Sequence, residues 1–483
     1  MDMTQKIAEF AEKAQAVQKG GAGKVTAGNM TARERISALF DEGSFVELNM
    51  FASSRVKDAA ADGVITGYGS VDGRLVFAYS QDATVIGGSI GEMHAKKIRN
   101  VFEMALKMGT VVVGMLDSSG ARLDEGVMAQ AALGEILAGA AKISGIVPHV
   151  SLVLGACAGA AAFCATMSDV VIISKKSGKL CVSGASVVEA TTGKKPVTDA
   201  VKSGNAHLAA ENDAQAIELC KLLISYLPDN NISLGIDFET TDDASRTTDA
   251  LRNIDEDTDM RAVVSEIADN GAYFELQAEY AAEISVGLIR LNGSSVGIVA
   301  NRESVLGGGA LEKAARFVRF CDAFNIPILS LTDAEGFTIS AAEEDWGLAR
   351  KGAKLISAFA EASVGKVNLI VNRAYGGAYV AMNSKQLGAD VVLAFPTAQI
   401  GAIAPGAAVG ILCSQQLHDG KERAALEEEY ASNEATPYKA AQLCLIDDVI
   451  EPADARARII LTFEMLKSKR VTTMPRKHDN MPL

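Results

Sequence analysis

Two short turns hold the residues whose pattern could do chemistry in this 483-residue sequence. Ala158-Gly159-Ala160-Ala161 follows the apolar run from Val150 to Leu154, and Tyr375-Gly376-Gly377-Ala378 follows the run from Val367 to Val371. Each reads as a strand turning into a helix over residues with almost no side chain. Such a turn offers adjacent backbone N–H groups where a helix begins, a place suited to negative charge developing on oxygen. Small side chains let a ligand approach that backbone closely. Tight helix–strand packing accounts for either turn taken alone. Two at equivalent places suit a reaction with two enolate-like partners, one held at Gly159 and Ala160 and the other at Gly377 and Ala378.

Other chemistries find no support in the residue spacing. The five histidines, His94, His149, His207, His418 and His478, lack HxxxH or HExxH spacing, so no metal site is expected. A P-loop is missing from the sequence. Gly67-Tyr68-Gly69 with Gly73 lacks the strand–helix context of a dinucleotide fingerprint and reads as a turn. Seven cysteines without CxxC spacing sit mostly in apolar segments, the pattern of buried thiols in a reducing compartment.

The elements that must position the two turns repeat at an offset of about 217 residues. In the first copy a strand at Val76 to Tyr79 leads to Gly87-Gly88, a helix from Gly91 to Met108, and a buried strand Val111 to Leu116 ending in Asp117-Ser118-Ser119-Gly120. The second copy runs from Val296 to Val299, through Gly307-Gly308 and a helix from Leu311 to Phe324, to a strand Ile328 to Leu331 ending in Asp333-Ala334-Glu335-Gly336. A further helix, the apolar strand, its small-residue turn and a last apolar run complete both copies, Val170 to Ile173 and Val391 to Ala394. Strands buried on both faces and alternating with helices predict an α/β fold made of two homologous domains in tandem, 1–235 and 236–483. The polar, acid-rich stretch from Leu227 to Asp259 reads as the linker.

Composition sets the outer limits. Hydrophobic residues at 48% and charged residues at 22% describe a globular chain, long enough for two or three domains. With 46 Lys+Arg against 60 Asp+Glu the net charge is −14, the wrong sign for a nucleic-acid partner. The longest apolar region, Ile143 to Ala165, is interrupted by Ser144, Pro148 and His149 and reads as packed core, not a membrane span. Residues 1–20 form a charged amphipathic stretch without the apolar core of a signal peptide, so a soluble cytoplasmic protein is expected.

The sequence closely resembles the carboxyltransferase subunits of biotin-dependent acyl-CoA carboxylases and the related decarboxylase subunits. The stretches that carry the resemblance include Thr31-Ala32-Arg33-Glu34-Arg35-Ile36, Asp62-Gly63-Val64-Ile65-Thr66-Gly67-Tyr68-Gly69 and Ser80 to Ser89. In the second half they include Glu312 to Phe317, Cys321 to Pro327, Arg350 to Lys354, Ala374 to Tyr379 and the terminal Pro475-Arg476-Lys477-His478 with Pro482-Leu483. From about Thr31 to Leu483 the match is nearly continuous.

This resemblance implies two crotonase-like domains, the first binding the CoA ester and the second binding biotin. It implies carboxybiotin on a separate carrier protein, biotin carboxylase and carrier subunits as partners, and a homo-oligomer, commonly a hexamer. Gly159 and Ala160 match the turn that stabilises the thioester enolate; Gly376, Gly377 and Ala378 match the turn that holds the biotin ureido oxygen. Ser119-Gly120-Ala121-Arg122 matches a segment beside the CoA site, with Arg122 either a phosphate ligand or a structural ion pair. Val380, just after the second turn, is expected to point towards the acyl pocket, and Tyr379 beside it is expected to bind substrate. In the family's mechanism CO2 leaves carboxybiotin, the biotin enolate removes the α-proton of the ester and the CoA enolate attacks CO2, with no side-chain base. Lys107 lacks the Met-Lys-Met hairpin of a biotin carrier and reads as a solvated helix lysine.

Departures from the family pattern bear on substrate choice. Gly159-Ala160-Ala161 stands where relatives usually carry Gly-Gly-Ala, which adds a methyl near the thioester. Segments Lys194 to Asn205 and Val305 to Gly309 are abbreviated, and Glu335-Gly336-Phe337 replaces a usual Pro-Gly-Phe. Transfer between carboxybiotin and a short acyl-CoA, acetyl or propionyl, is the leading expectation. The soluble subunit of a sodium-pumping decarboxylase, with a membrane reached only through a partner subunit, and a non-catalytic scaffold subunit are the alternatives.

Overall fold

The computed structural model describes residues 2–482 apart from 22, 24, 26, 27, 55–58, 195–198, 234, 236 and 473. Part of the abbreviated segment Lys194 to Asn205, part of the linker and the terminal Leu483 therefore lie outside the described residues. The chain divides into two compact units, Met1–Ser233 and Leu234–Leu483.

The first unit is built on one sheet of eight strands. In chain order these are β1 (Val46–Leu48), β2 (Val64–Val71), β3 (Arg74–Gln81), β4 (Val111–Ser118), β5 (His149–Ala158), β6 (Val170–Ser174), β7 (Lys179–Cys181) and β8 (Leu208–Ala210). They lie in the order β1-β2-β3-β4-β5-β6-β8, with β7 paired to β5. The first three are antiparallel hairpin neighbours; from β3 to β8 every pairing is parallel.

The second unit repeats this plan. Its strands are β9 (Tyr273–Leu276), β10 (Ile284–Leu291), β11 (Ser294–Asn301), β12 (Val305–Leu306), β13 (Ile328–Ala334), β14 (Gly336–Phe337), β15 (Lys366–Tyr375), β16 (Val391–Ala394), β17 (Gln399–Gly401) and β18 (Asp448–Val449). The large sheet runs β9-β10-β11-β13-β15-β16-β18, with β17 paired to β15. β12 and β14 form a separate two-stranded ribbon. The order and the change from antiparallel to parallel match those of the first unit.

Parallel strands need covering on both faces, and the sequence supplies the cover through amphipathic crossovers. Helix Glu92–Met108 buries His94, Ala95, Ile98, Val101, Phe102 and Ala105 at helical spacing, and stops at Gly109 in the left-handed region. It packs against helix Val127–Ile143. In the second unit helix Gly308–Ala323 packs in the same way against Leu348–Glu361. The central strands are inaccessible along most of their length: Val111, Val112, Val113 and Met115 in β4, and Ile328, Leu329 and Leu331 in β13, are all at most 1% exposed.

Candidate functional site

In the first unit the loop after β4 is pinned from beneath. Ile90 N–H donates to the Gly120 carbonyl at 2.8 Å, Arg122 N–H to the Ile90 carbonyl at 2.9 Å, and Ser119 N–H to the Gly87 carbonyl at 3.0 Å. Ser119, Gly120 and Ala121 are thus held as an extension of the sheet beside Gly87–Ile90. Of the two readings of Arg122, the structure favours the ion pair, because the side chain is 1% exposed and turned into the protein, not towards a phosphate. Its Nη1 meets Asp62 Oδ1 at 2.7 Å and Glu125 Oε1 at 3.1 Å, Nη2 donates to the Ser89 and Asp62 carbonyls, and Nε reaches Ser89 Oγ. All three nitrogens are engaged, so Arg122 braces the loop instead of binding ligand. Burial pushes the Asp62 carboxyl above its usual range, against the opposing pull of Arg122.

The same segment is strapped a second time. Lys97 Nζ donates to the Ala61 carbonyl at 2.8 Å and to the Val64 carbonyl, and His94 Nδ1 lies 3.0 Å from the Asp62 carbonyl. Ala61 and Asp62 both sit at positive φ, 46° and 52°, a strained conformation that these bonds hold in place. No local sequence signal announces this. The chemically informative residues are a lysine and a histidine on one buried helix face.

β5 ends in the first turn. Gly159 has φ 66° and ψ −137°, a region open in practice only to glycine, and helix Ala160–Thr166 starts beyond it. The Gly159 amide donates to the Cys181 and Val182 carbonyls, each at 3.1 Å, which ties the turn to β7. The amides of Ala160 and Ala161 then occupy the first helical turn, where no intrahelical carbonyl faces them. Sequence reasoning paired Gly159 with Ala160; in the structure the Gly159 amide is engaged with the Cys181 and Val182 carbonyls, while the Ala160 and Ala161 amides lie in the first turn of the helix. Cys157 and Cys164 flank the turn as protonated thiols, since burial pushes both up to about 12.

β15 ends in the second turn. Gly376 has φ 53°, and helix Gly376–Ala381 places the Gly377 and Ala378 amides in its first turn. At an offset of 217, Gly376 corresponds to Gly159, Gly377 to Ala160 and Ala378 to Ala161. A cavity of about 780 Å³ opens at this turn, lined by Gly377, Phe337, Ile339, Ser340, Leu348 and Ile356 among others. Phe337 is carried there by the small ribbon, where Leu306 pairs with Phe337. That is the role of the abbreviated Val305–Gly309 stretch.

Two neighbouring expectations separate at this point. Tyr379 belongs to the core, 7% exposed among Ile370, Ala389 and Val392, which corrects its expected contact with substrate. Val380, by contrast, is 37% exposed, one helical turn on from Gly377. Glu335 is paired with Arg373 at 3.6 Å and accepts from Ser304 Oγ at 3.3 Å. Among the described residues no cluster of His, Cys, Asp or Glu could hold a metal ion, and no helix is long and apolar enough to cross a membrane.

First-turn backbone amides after a positive-φ glycine, repeated in two units of one topology, are donors of the kind that can stabilise an oxyanion. Residues 24–481 match the carboxyl transferase domain family. The chain belongs to that family and is an acyl-CoA carboxyltransferase. It is 41% identical to the methylmalonyl-CoA decarboxylase subunit alpha of Propionigenium modestum, over 99% of each chain. It is also 41% identical to the propionyl-CoA carboxylase carboxyltransferase subunit of Haloferax mediterranei, over 100% of each. Among solved structures it superposes on transcarboxylase 12S, a hexamer with methylmalonyl-coenzyme A and methylmalonic acid bound, with a TM-score of 0.95, 37% identity and full coverage of both chains.

Proposed function

We propose that this chain moves a carboxyl group between biotin borne on a separate carrier protein and a short-chain acyl-CoA, working as one subunit of a homo-hexamer. Its two units are read as crotonase-like domains, the N-terminal one taking the CoA ester and the C-terminal one taking biotin. The observation that carries this reading is the duplicated turn, a positive-φ glycine succeeded by two first-turn amides, at the end of β5 and again at the end of β15.

In the first unit the Ala160 and Ala161 amides would face the thioester oxygen as it gains negative charge, with Ser119–Ala121 alongside. Gly159 shapes the turn. A single donor of this kind supplies about 3–4 kcal/mol of transition-state stabilisation. In the second unit the mainly apolar cavity at Gly377 fits a fused bicyclic ring, with the Gly377 and Ala378 amides as donors to a ureido oxygen. Biotin, when bound, supplies the carboxyl group or accepts it. The alanine methyl at position 160 restricts the space beside the thioester and favours small acyl groups.

The similarity to methylmalonyl-CoA decarboxylase alpha subunits supports a second reading, the same transfer run towards decarboxylation with a membrane-bound partner subunit. One experiment tests the transfer itself. Purified protein is given malonyl-CoA or methylmalonyl-CoA with free biotin, and the CoA products are identified by mass spectrometry. Loss of carboxylate that requires biotin is expected. No loss from either ester, with carrier-borne biotin also supplied, would reject catalysis and leave a scaffold subunit.

A further inference from the structure

Both long strands that end in the glycine turns change neighbours part-way along. β5 pairs with β6 over Val150–Val153 and then with β7 over Ala156–Ala158; β15 pairs with β16 over Val367–Ile370 and then with β17 over Arg373–Tyr375. At the changeover each strand also slips against its other neighbour. Leu116 faces Val153 but Ser118 faces Cys157, and Thr332 faces Ile370 but Ala334 faces Ala374. Two steps along the inner strand therefore span four along the strand that bears the turn. Such a bulge re-aims the chain beyond it and leaves backbone groups without ladder partners.

The residue skipped by the ladder is an aspartate in both units. Asp117 Oδ1 accepts the Ala156 amide at 3.3 Å, and Asp333 Oδ1 accepts the Arg373 amide at 3.0 Å. Ala156 and Arg373 each stand three residues before the positive-φ glycine. Each aspartate gives its own amide to a carboxamide oxygen on the next strand, Asp117 to Gln81 Oε1 at 3.1 Å and Asp333 to Asn301 Oδ1 at 3.3 Å.

Each carboxylate is also paired with an arginine, from a different place in each unit, and both arginines serve further carboxylates, Asp213 for Arg35 and Glu335 and Glu256 for Arg373. Arg35, in helix Ala32–Leu39, reaches Asp117 Oδ2 with Nη1 at 3.1 Å and the bulge carbonyl of Leu154 with Nη2 at 3.0 Å. Arg373, in β15 itself, holds Asp333 in a two-pronged pair, Nε to Oδ1 and Nη2 to Oδ2, both at 2.8 Å. A Cβ on Gly155 would overlap the Asp117 carboxylate, so glycine is what admits it. The arginines differ in origin while the bulge carboxylate and its amide bond recur. An unpaired carboxylate so near the turn would also oppose negative charge forming there, which gives the arginine a purpose beyond packing.

We propose that Asp117 and Asp333 are positioning residues: each fixes the bulge that aims the next turn, and so sets where the Ala160–Ala161 and Gly377–Ala378 amides point. The effect on turnover rests on the carboxyltransferase reading above; the effect on the turns does not.

The test uses the full-length assembled protein and the variants Asp117→Ala, Asp117→Asn, Asp333→Ala and Asp333→Asn. Hydrogen exchange is measured first, with exchange over residues 156–162 expected to rise at least about tenfold in Asp117→Ala, and over 373–379 in Asp333→Ala, while β4 and β13 stay protected. Turnover of methylmalonyl-CoA with biotin comes second. A donor displaced by about 1 Å costs on the order of 100-fold in kcat, and the asparagine variants, which keep an acceptor for the bulge amide, recover most of that loss. Asp117→Ala should leave the KM for biotin within about twofold, and Asp333→Ala the KM for the CoA ester. Unchanged exchange at the turns, a kcat within about twofold of wild type in the alanine variants, or a uniform rise in exchange across a whole unit would each overturn the proposal. A wild-type protein inactive with both substrates would reject the functional reading alone, because the exchange pattern still decides the positioning role.

Discussion

Replacing Arg122 by methionine should destabilise the first unit in a way that depends on pH. Methionine keeps the length of the side chain and removes every donor, so the five contacts to Ser89, Asp62 and Glu125 are lost together. Asp62 is 0% exposed, and a buried charge left without its partner typically costs about 3–5 kcal/mol. Asp62 can limit that cost by taking up a proton. Its carboxyl is already pushed up by burial and held down by Arg122, so removing the arginine raises it further. The native variant then binds a proton that the unfolded chain releases, and its stability relative to wild type falls as pH rises from about 4 through the raised value. The loss at pH 8 should therefore exceed the loss at pH 5.

Urea denaturation separates the two units without dissection. The sequence has one tryptophan, Trp346, in the second unit, so fluorescence reports on that unit while circular dichroism reports on both. A loss of about 3–5 kcal/mol moves the first unit's midpoint by about 1–2 M urea, with the fluorescence transition in place. Adding Asp62→Asn should restore about half of the loss or more, since a neutral amide needs no counter-charge. A loss below about 1 kcal/mol, or an equal loss at pH 5 and pH 8, would refute the account of Arg122 as the counter-charge of Asp62.

Acid should destabilise the first unit through two buried imidazoles. Burial holds His94 at about 3 and His149 at about 4, whereas the unfolded chain takes up those protons near 6.5, so stability is lost as pH falls below about 6.5. Each ring accounts for about 2 kcal/mol at pH 5, and His149→Phe, set against Phe102 in the same core, should flatten the pH dependence of the urea midpoint by that amount. On the chemical side, Val380→Asp should lower kcat/KM more for longer acyl chains than for acetyl, because carboxyl transfer must bring the acyl group up to the biotin held at Gly377, one helical turn from the new charge. Equal changes across chain lengths in steady-state kinetics would remove Val380 from the acyl pocket.

Much of the architecture is legible in the sequence because it is local. Alternating apolar runs and helical stripes at an offset of 217 residues mark β3, β4, β5 and β6 and their counterparts; the structure extends most of them, while β6 gains only Ser174 and β16 keeps its expected bounds. β5 grows from the expected Val150 to Leu154 to His149–Ala158, and β15 from Val367 to Val371 to Lys366–Tyr375. The added residues include Gly155 and Ala156, which lie within the bulge, and Cys157, which resumes the ladder beyond it, with their counterparts. A change of sheet neighbour inside one strand leaves no periodicity to read.

Glycine types and the order of apolar runs by themselves determined the two turns and the doubled unit, since these depend on backbone freedom and on which faces must be buried; the family was legible only through the resemblance of motifs such as Asp62 to Gly69 and Ala374 to Tyr379. Only the tertiary structure decided the partners. It turned Arg122 inward onto Asp62, took Tyr379 into the core and gave the Gly159 amide to the Cys181 and Val182 carbonyls. It also brought Asp117 to Ala156 and Asp333 to Arg373, 39 and 40 residues apart in sequence. The physical reason is range. A side chain's partner is fixed by desolvation and hydrogen bonding across folded elements, and those are set only once the sheet has closed over them.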